Sequence, residues 1–469
     1  MKPRHTMLFA KLRSNWHCPS STSIRFLCIT ALACVAVSTA GAEPRKDRTV
    51  VVISLDGFPA YALDDPRLPM PTLRKLVREG VSSSMTPVNP TVTWPNHTAM
   101  VTGVDASEHH VLFGGLLTRS AEGSQPAVEA WRDKDVMVHA PTIYDAAFHA
   151  GLTTAQVDWV AIYGAKTINW QFPELPSPDG VIEQDLMADG LVTADQLRTF
   201  ESGSEAWQDE IWTDAAIKIL EKRRPNLLLF HLLMLDNANH AYGPMSMASY
   251  TAMALLDSNL RRIMDALQKT GLLPNAAVIV VSDHGFRPFK YKIHPNVLLA
   301  EKGILHRNGS TAKGDAWVMP DGGVALVYVT NPSRRADVTV HLRSVLAGAE
   351  GVGHVYSPEE YSSLGIPTPA ASDQGPDLFL AAAPDYLFSD GVEGDYKTTV
   401  TVGGTHGYLN TDPKMKAIFV AWGAGIGPSR LPGISNLDVA PTIAALLGLE
   451  MPKAKGHVIQ EVIGRSDVR

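Results

Sequence analysis

Three apolar runs in this chain each end on acid. VVISLDGFPA carries Asp56, LLLFHLLMLD ends on Asp236, and AAVIVVSDHG delivers Asp283 and His284. Aliphatic runs this continuous are buried on both faces, which is the pattern of strands in a parallel sheet covered by helices. A carboxylate at the tip of such a strand sits beside the core, and an unpaired buried charge is costly. The fold must therefore bring these acids to something that pairs them. In open α/β sheets ligands gather at the carboxyl ends of the strands.

The remaining pattern supports an α/β class, a mostly parallel sheet with helices on both faces. Strands are expected over 49–55, 227–235, 277–282, 323–329, 377–382 and 416–422, and helices over 71–79, 95–102, 142–150, 205–223, 247–270, 334–347 and 437–447. Residues 104–140 read as polar and loop-like. Residues 286–400 hold Gly and Pro clusters (PDGG, SLGIPTPAASDQGPD) and short strands, and read as a smaller cap inserted into a core of 43–285 and 401–469.

Residues 1–42 stand apart. They carry Lys2, Arg4, Lys11, Arg13 and Arg25, no acid, a short apolar stretch and a small-residue end, Ala40-Gly41-Ala42. This is the grammar of a secretory signal, with translation starting at Met1 or Met7, and it predicts a periplasmic or secreted protein with no membrane span after removal. An uncleaved anchor, or a lipid on Cys34, is the alternative. The three cysteines, Cys18, Cys28 and Cys34, all lie in this piece, so the mature chain has no thiolate to offer a metal. Its loss moves the net charge from −7 to about −12, which speaks against sequence-independent binding of nucleic-acid polymers.

Asp236 is followed four residues on by His240 in DNANHAYGP, and Asp283 adjoins His284. His406 lies between glycines in GGTHGY, and Asp56 completes the set. One strand-end Asp more often caps a helix, and one His is more often structural. The joint pattern carries the metal reading. Carboxylate and imidazole are what zinc accepts when thiolate is missing. Six ligands exceed one catalytic zinc with an open position; split three and three, they suit two ions. Two Zn2+ are expected, with other divalent metals as alternatives. A nucleophile is offered by PTVTWPNHT at 90–98, where Pro95 suits the first turn of a helix and the helix N-terminus favours anions. Composition leaves Thr91 and Thr93 open, and either hydroxyl can serve merely as a helix cap.

DGF at 56–58, MPTLRKLVREG at 70–80, PTVTWPNHTAMVTG at 90–103, DNANHAYGP at 236–244, VSDHG at 281–285, THG at 405–407 and NLDVAPTIAALLGLEMPKAKG at 436–456 occur in order. Together they resemble the nucleotide pyrophosphatase/phosphodiesterase family of the alkaline phosphatase superfamily. The resemblance implies an alkaline-phosphatase-like core. It implies Thr93 as the nucleophile that becomes transiently phosphorylated or nucleotidylated. It assigns Asp56, Asp283 and His284, with the Thr93 oxygen, to one zinc, and Asp236, His240 and His406 to the other. It matches Trp94 to an aromatic lining the substrate pocket. The chain departs from the pattern in HHVLFGG, where Gly114 stands in place of an Asn that helps hold a phosphate oxygen. A missing amide donor at such a place costs on the order of 10²-fold in rate unless another group replaces it.

These readings predict a monomeric hydrolase of small phosphodiester or nucleotide substrates. The rivals within the superfamily are a phosphonate (C–P) hydrolase and a phosphomonoesterase. A sulfatase would need a C/S-x-P-x-R motif, which the mature chain lacks. The rival of another class is a non-catalytic, metal-holding binding protein.

Overall fold

The computed structural model describes residues 43–119, 122–308 and 311–464. The expectations for the leader and its cysteines lie outside these residues. At the centre is a nine-stranded sheet. Thr49–Leu55 pairs in parallel with Leu227–Leu232 on one side and Ala276–Val281 on the other. Thr154–Val157 and Trp170–Phe172 extend the parallel part outward from Leu227–Leu232. Ala417–Gly423 is the exception, antiparallel to both Ala276–Val281 and Val81–Thr86.

Alternation along each strand feeds two cores. Val51, Ile53 and Leu55, with Leu228, Phe230, Val278 and Val280, pack against helices Pro71–Glu79, Glu205–Lys222 and Met247–Lys269. Val50 and Val52, with Leu229 and Ile279, pack against Thr93–Thr102, Ile143–His149 and Val439–Leu446. Both faces are thus covered, which is why these strands read as unbroken apolar runs. Each such buried aliphatic side chain contributes about 1.5–3 kcal/mol relative to exposure.

Three local expectations are corrected. The strand expected over 227–235 ends at Leu232, and a helix runs Met234–Tyr242. The amides of Leu233 and Met234 donate to the buried carboxylate of Asp209, at 2.9 and 3.2 Å, which turns the chain there. Asp236 therefore sits in the first turn of a helix, not at a strand tip. The helix expected from 95 begins at Thr93. The 104–140 segment is not loop alone. It forms two short helices and a two-stranded ribbon, with Val111, Leu112, Phe113 and Leu117 buried.

Residues between Ile293 and Phe388 supply a further hydrophobic core. Four antiparallel strands lie in the order Ala316–Asp321, Val324–Val329, Leu378–Ala382, Val352–Tyr356, with helix Arg335–Ala347 packed on one face. The other face meets the 106–117 segment through Leu326, Tyr328 and Phe379. No helix among the described residues is long and apolar enough to cross a membrane.

Candidate active site

Asp56 follows the central strand directly, and Gly57 makes the turn with φ 66°. That backbone favours glycine, and space enforces the choice: a Cβ there would lie 2.8 Å from the Phe286 ring and 3.0 Å from Asp236 Oδ1. The Gly57 amide donates to Asp283 Oδ1 at 3.1 Å, so the tips of two neighbouring strands are tied together. Asp283 and His284 leave the Ala276–Val281 strand, and Gly285 lets them pass the Lys414 carbonyl, which a Cβ would meet at 2.0 Å. One helical turn puts Asp236 and His240 on the same face of Met234–Tyr242. His240 Nε2 lies 3.2 Å from Asp236 Oδ2, and the other ring nitrogen donates to Gly404 O at 3.1 Å. His406 comes from the loop after that glycine and stacks on His284, ring centroids 3.8 Å apart.

The six predicted ligands thus converge as two triplets, Asp56/Asp283/His284 and Asp236/His240/His406, the ligand atoms of each lying within 4.8 Å of one another. The first triplet is sealed. All three of its residues are 0 % exposed, whereas the His240 side chain is 40 % exposed. Four atoms of the set, Asp56 Oδ1, Asp236 Oδ1, Asp283 Oδ2 and His284 Nε2, are buried with no hydrogen-bond partner. Buried polar atoms are nearly always paired, so orphans converging from separate elements fit a cation between them. The electrostatics agree. Burial, then the charges of Asp283 and Asp236, push the Asp56 carboxyl well above its ordinary range. Burial holds His284 down at about 4 and, with His284 beside it, pulls His406 well below the usual imidazole range. Crowded carboxylates and the neutral imidazoles of His284 and His406 suit a divalent ion, whereas His240, which burial alone would lower, is raised by the Asp236 charge beside it.

The two threonines separate here. Thr91 is fully buried and donates to Tyr408 O at 2.6 Å. Thr93 is the first residue of its helix, and its hydroxyl has no hydrogen bond among the described residues; the cap position is Val92. Asn96 and His97 hold this turn. Asn96 donates to Pro90 O and Val92 O and accepts from Val88 N, while His97 bridges Thr93 O and Ser54 Oγ, each at 2.9 Å. Thr93 faces a cavity of about 280 Å³ that it shares with Trp94, Gly114, Asp158, His231, Asp321 and His406. Trp94 also lines a neighbouring cavity of about 310 Å³ with Trp131, Trp159 and Tyr163. Gly114 lies against Trp94, where a Cβ would sit 3.6 Å from Nε1.

Sequence reasoning missed His231, Asp158 and Asp321. His231 lies within an apolar strand, where a histidine reads as core, though an ionisable residue in a strand buried on both sides is itself a signal. Asp321 belongs to PDGG, which reads as a turn. The structure makes that turn a wall of the cavity. Gly323 N donates to His406 O at 2.9 Å, and a Cβ on Gly322 or Gly407 would meet the opposing backbone at 2.4 or 2.3 Å. Burial pushes the Asp321 carboxyl up to about 7.

The family model for type I phosphodiesterase / nucleotide pyrophosphatase matches residues 50–409. The chain is 24% identical to ectonucleotide pyrophosphatase/phosphodiesterase family member 3 of Bos taurus over 238 residues, 50% of this chain and 24% of that protein, so it spans about a quarter of that relative's length. It is 21% identical over 456 residues to bis(5'-adenosyl)-triphosphatase enpp4 of Xenopus laevis, covering 91% of this chain and 83% of that one. The structure of murine ectonucleotide pyrophosphatase/phosphodiesterase 5 aligns with a TM-score of 0.66 at 18% identity, covering 87% of this chain and 97% of the other. At that identity the likeness is one of fold.

Proposed function

Because the chain belongs to the type I phosphodiesterase / nucleotide pyrophosphatase family, we propose that it hydrolyses phosphodiester or phosphoanhydride bonds of small substrates through a covalent Thr93 intermediate, with two divalent cations, zinc first among them. Asp56, Asp283 and His284 hold one cation and Asp236, His240 and His406 the other. The observation that carries this reading is the convergence of unpartnered buried ligand atoms, one triplet of which, through His406, shares a cavity with a Thr93 hydroxyl that has no structural bond. When bound, the cations supply positive charge to the phosphoryl oxygens and ease deprotonation of the attacking alcohol.

The chain's own residues do the rest. The Thr93–Thr102 helix aims the Thr93 hydroxyl into the cavity, and its N-terminus favours the anionic group there. Thr93 Oγ attacks phosphorus, the P–O bond to the leaving group breaks, and a phosphothreonine ester remains. Water attacks that ester in a second in-line step and frees Thr93. Trp94 offers a face to the organic part of the substrate. Gly114 contributes no side-chain amide. No Lys or Arg lines the cavity around Thr93 among the described residues, which favours the singly charged diester over a monoester. Residues 286–400 act as a cap that closes one side of the cavity through Asp321. We further read the protein as exported by residues 1–42 and active as a monomer.

The test uses purified protein with bis-p-nitrophenyl phosphate, p-nitrophenyl phosphate and a nucleotide pyrophosphate, with and without chelator, alongside metal analysis. The expected result is two zinc ions, preference for the diester or anhydride, and loss of turnover in Thr93→Ala with zinc retained. Two bound ions without cleavage of any substrate would point instead to a metal-holding binding protein.

A further inference from the structure

His231 lies between two carboxylates in the middle of the sheet. Its Nε2 donates to Asp56 Oδ2 at 2.9 Å. Its Nδ1 meets Asp158 on the other side, 3.0 Å from the carbonyl oxygen and 3.1 Å from Oδ2. Both residues are 2 % exposed. Asp158 reaches this arrangement from an unusual backbone, φ 55°, just past the Thr154–Val157 strand. A non-glycine residue held in the left-handed region costs free energy and points to a local requirement. Here that backbone turns the carbonyl and the carboxylate of one residue onto one ring nitrogen. His97, on the nucleophile helix, packs edge-on against the ring with centroids 4.5 Å apart, so the imidazole is fixed on its flank as well.

The consequence falls on Asp56. Its Oδ2 is taken by His231, and its Oδ1 is left buried without a partner, facing His284 Nε2 at 3.5 Å. Asp283 shows the same division: Oδ1 accepts from Gly57 N, and Oδ2 has no hydrogen bond and faces His284 Nε2 at 3.1 Å. Each carboxylate of the sealed triplet therefore has one oxygen committed to the protein and one left over. We propose that His231, braced by Asp158, is a positioning residue for cation binding at the sealed triplet, fixing Asp56 as a single-oxygen donor through Oδ1. This rests on the metal reading given above. A carboxylate restricted to one oxygen suits a four-coordinate ion such as zinc better than calcium, which takes more oxygen donors. Outer partners of metal ligands typically carry 10–100-fold in affinity.

The experiment strips the full chain of metal and titrates it with Zn2+ against a competing chromophoric chelator. In His231→Leu, one of the two zinc equivalents is expected to weaken by about 10–100-fold while the other stays within about threefold. His231→Gln, which returns an N–H donor to Asp56, is expected to recover most of that loss. Asp158→Asn keeps a residue that tolerates the left-handed backbone but weakens the brace, and is expected to lie between wild type and His231→Leu. Unchanged affinities in His231→Leu would overturn the inference. So would His231→Gln binding no better than His231→Leu, because packing and not donation would then be the role. Should His231→Leu fail to fold, the comparison of Asp158→Asn with His231→Gln decides, and wild-type affinity in Asp158→Asn overturns it. Wild-type protein that binds no zinc would overturn this inference together with the proposed function, whereas two bound zinc ions with an indifferent His231 would overturn the inference alone.

Discussion

Thr91 and Thr93 sit two residues apart in one motif and are expected to fail in opposite ways. Replacing either by Val exchanges a hydroxyl for a methyl group at nearly constant volume. In Thr91→Val the bond to Tyr408 O disappears from a fully buried site, leaving a carbonyl unpaired. That costs about 1–3 kcal/mol. With an unfolding entropy of about 2.1 cal/mol/K per residue over roughly 420 residues, the melting temperature falls by about 1–3 °C. Turnover per folded molecule is unaffected, since that hydroxyl is committed to the protein. Thr93→Val breaks no hydrogen bond, so its melting temperature is expected within about 0.5 °C of wild type. Its turnover of bis-p-nitrophenyl phosphate is expected to drop by about 10³-fold or more, as when other covalent hydrolases lose their nucleophile. Differential scanning fluorimetry and initial rates on matched preparations read both quantities. Retained turnover in Thr93→Val, or lost turnover in a Thr91→Val that melts normally, would refute the assignment.

Other outcomes follow from the same geometry. Gly285→Ala drives a Cβ into the Lys414 carbonyl. Overpacking of about 1–3 kcal/mol is expected, seen as a melting temperature lower by about 1–3 °C and as weaker zinc retention on dialysis, because His284 must move with its neighbour. Gly114→Asn meets only ordinary contact with Trp94 and supplies an amide near the reaction centre, so kcat on a diester should rise, by up to about 10²-fold; a fall would show that the open space at Gly114 is itself used by substrate. If the proposed cations are bound, a chelator would leave Asp56 beside the charges of Asp283 and Asp236 with no cation between them. Activity and melting temperature should both fall and both return on adding zinc, measured on one sample carried through the cycle.

The central strand and the Pro71–Glu79 helix lie where the sequence predicts them, because an unbroken aliphatic run or a clear helical stripe encodes its own environment. Asp236 was harder to place. Leu233 and Met234 at the join are only half-buried yet apolar, so LLLFHLLML carries no change of period to mark it. The two Asp/His triplets were legible as a group through residue type and spacing. His231 was not, since its meaning depends on Asp158, 73 positions away, and on a backbone angle that no composition reveals. The 104–140 segment reads as polar because its large apolar residues are few and scattered; Leu112, Phe113 and Leu117 pack on the four-stranded sheet, more than two hundred positions downstream.

The interlock between the Asp321–Gly323 turn and the His406 loop constrains how such a protein can be altered. With backbone meshed against backbone and the Tyr408 ring laid on Gly323, neither half can be redrawn alone. A transplanted version of the sheet that carries this turn would have to travel with residues 404–408 or lose its seat. An outward shift of the Asp321–Gly323 turn would pull on the His406 loop and so on an imidazole of the second triplet.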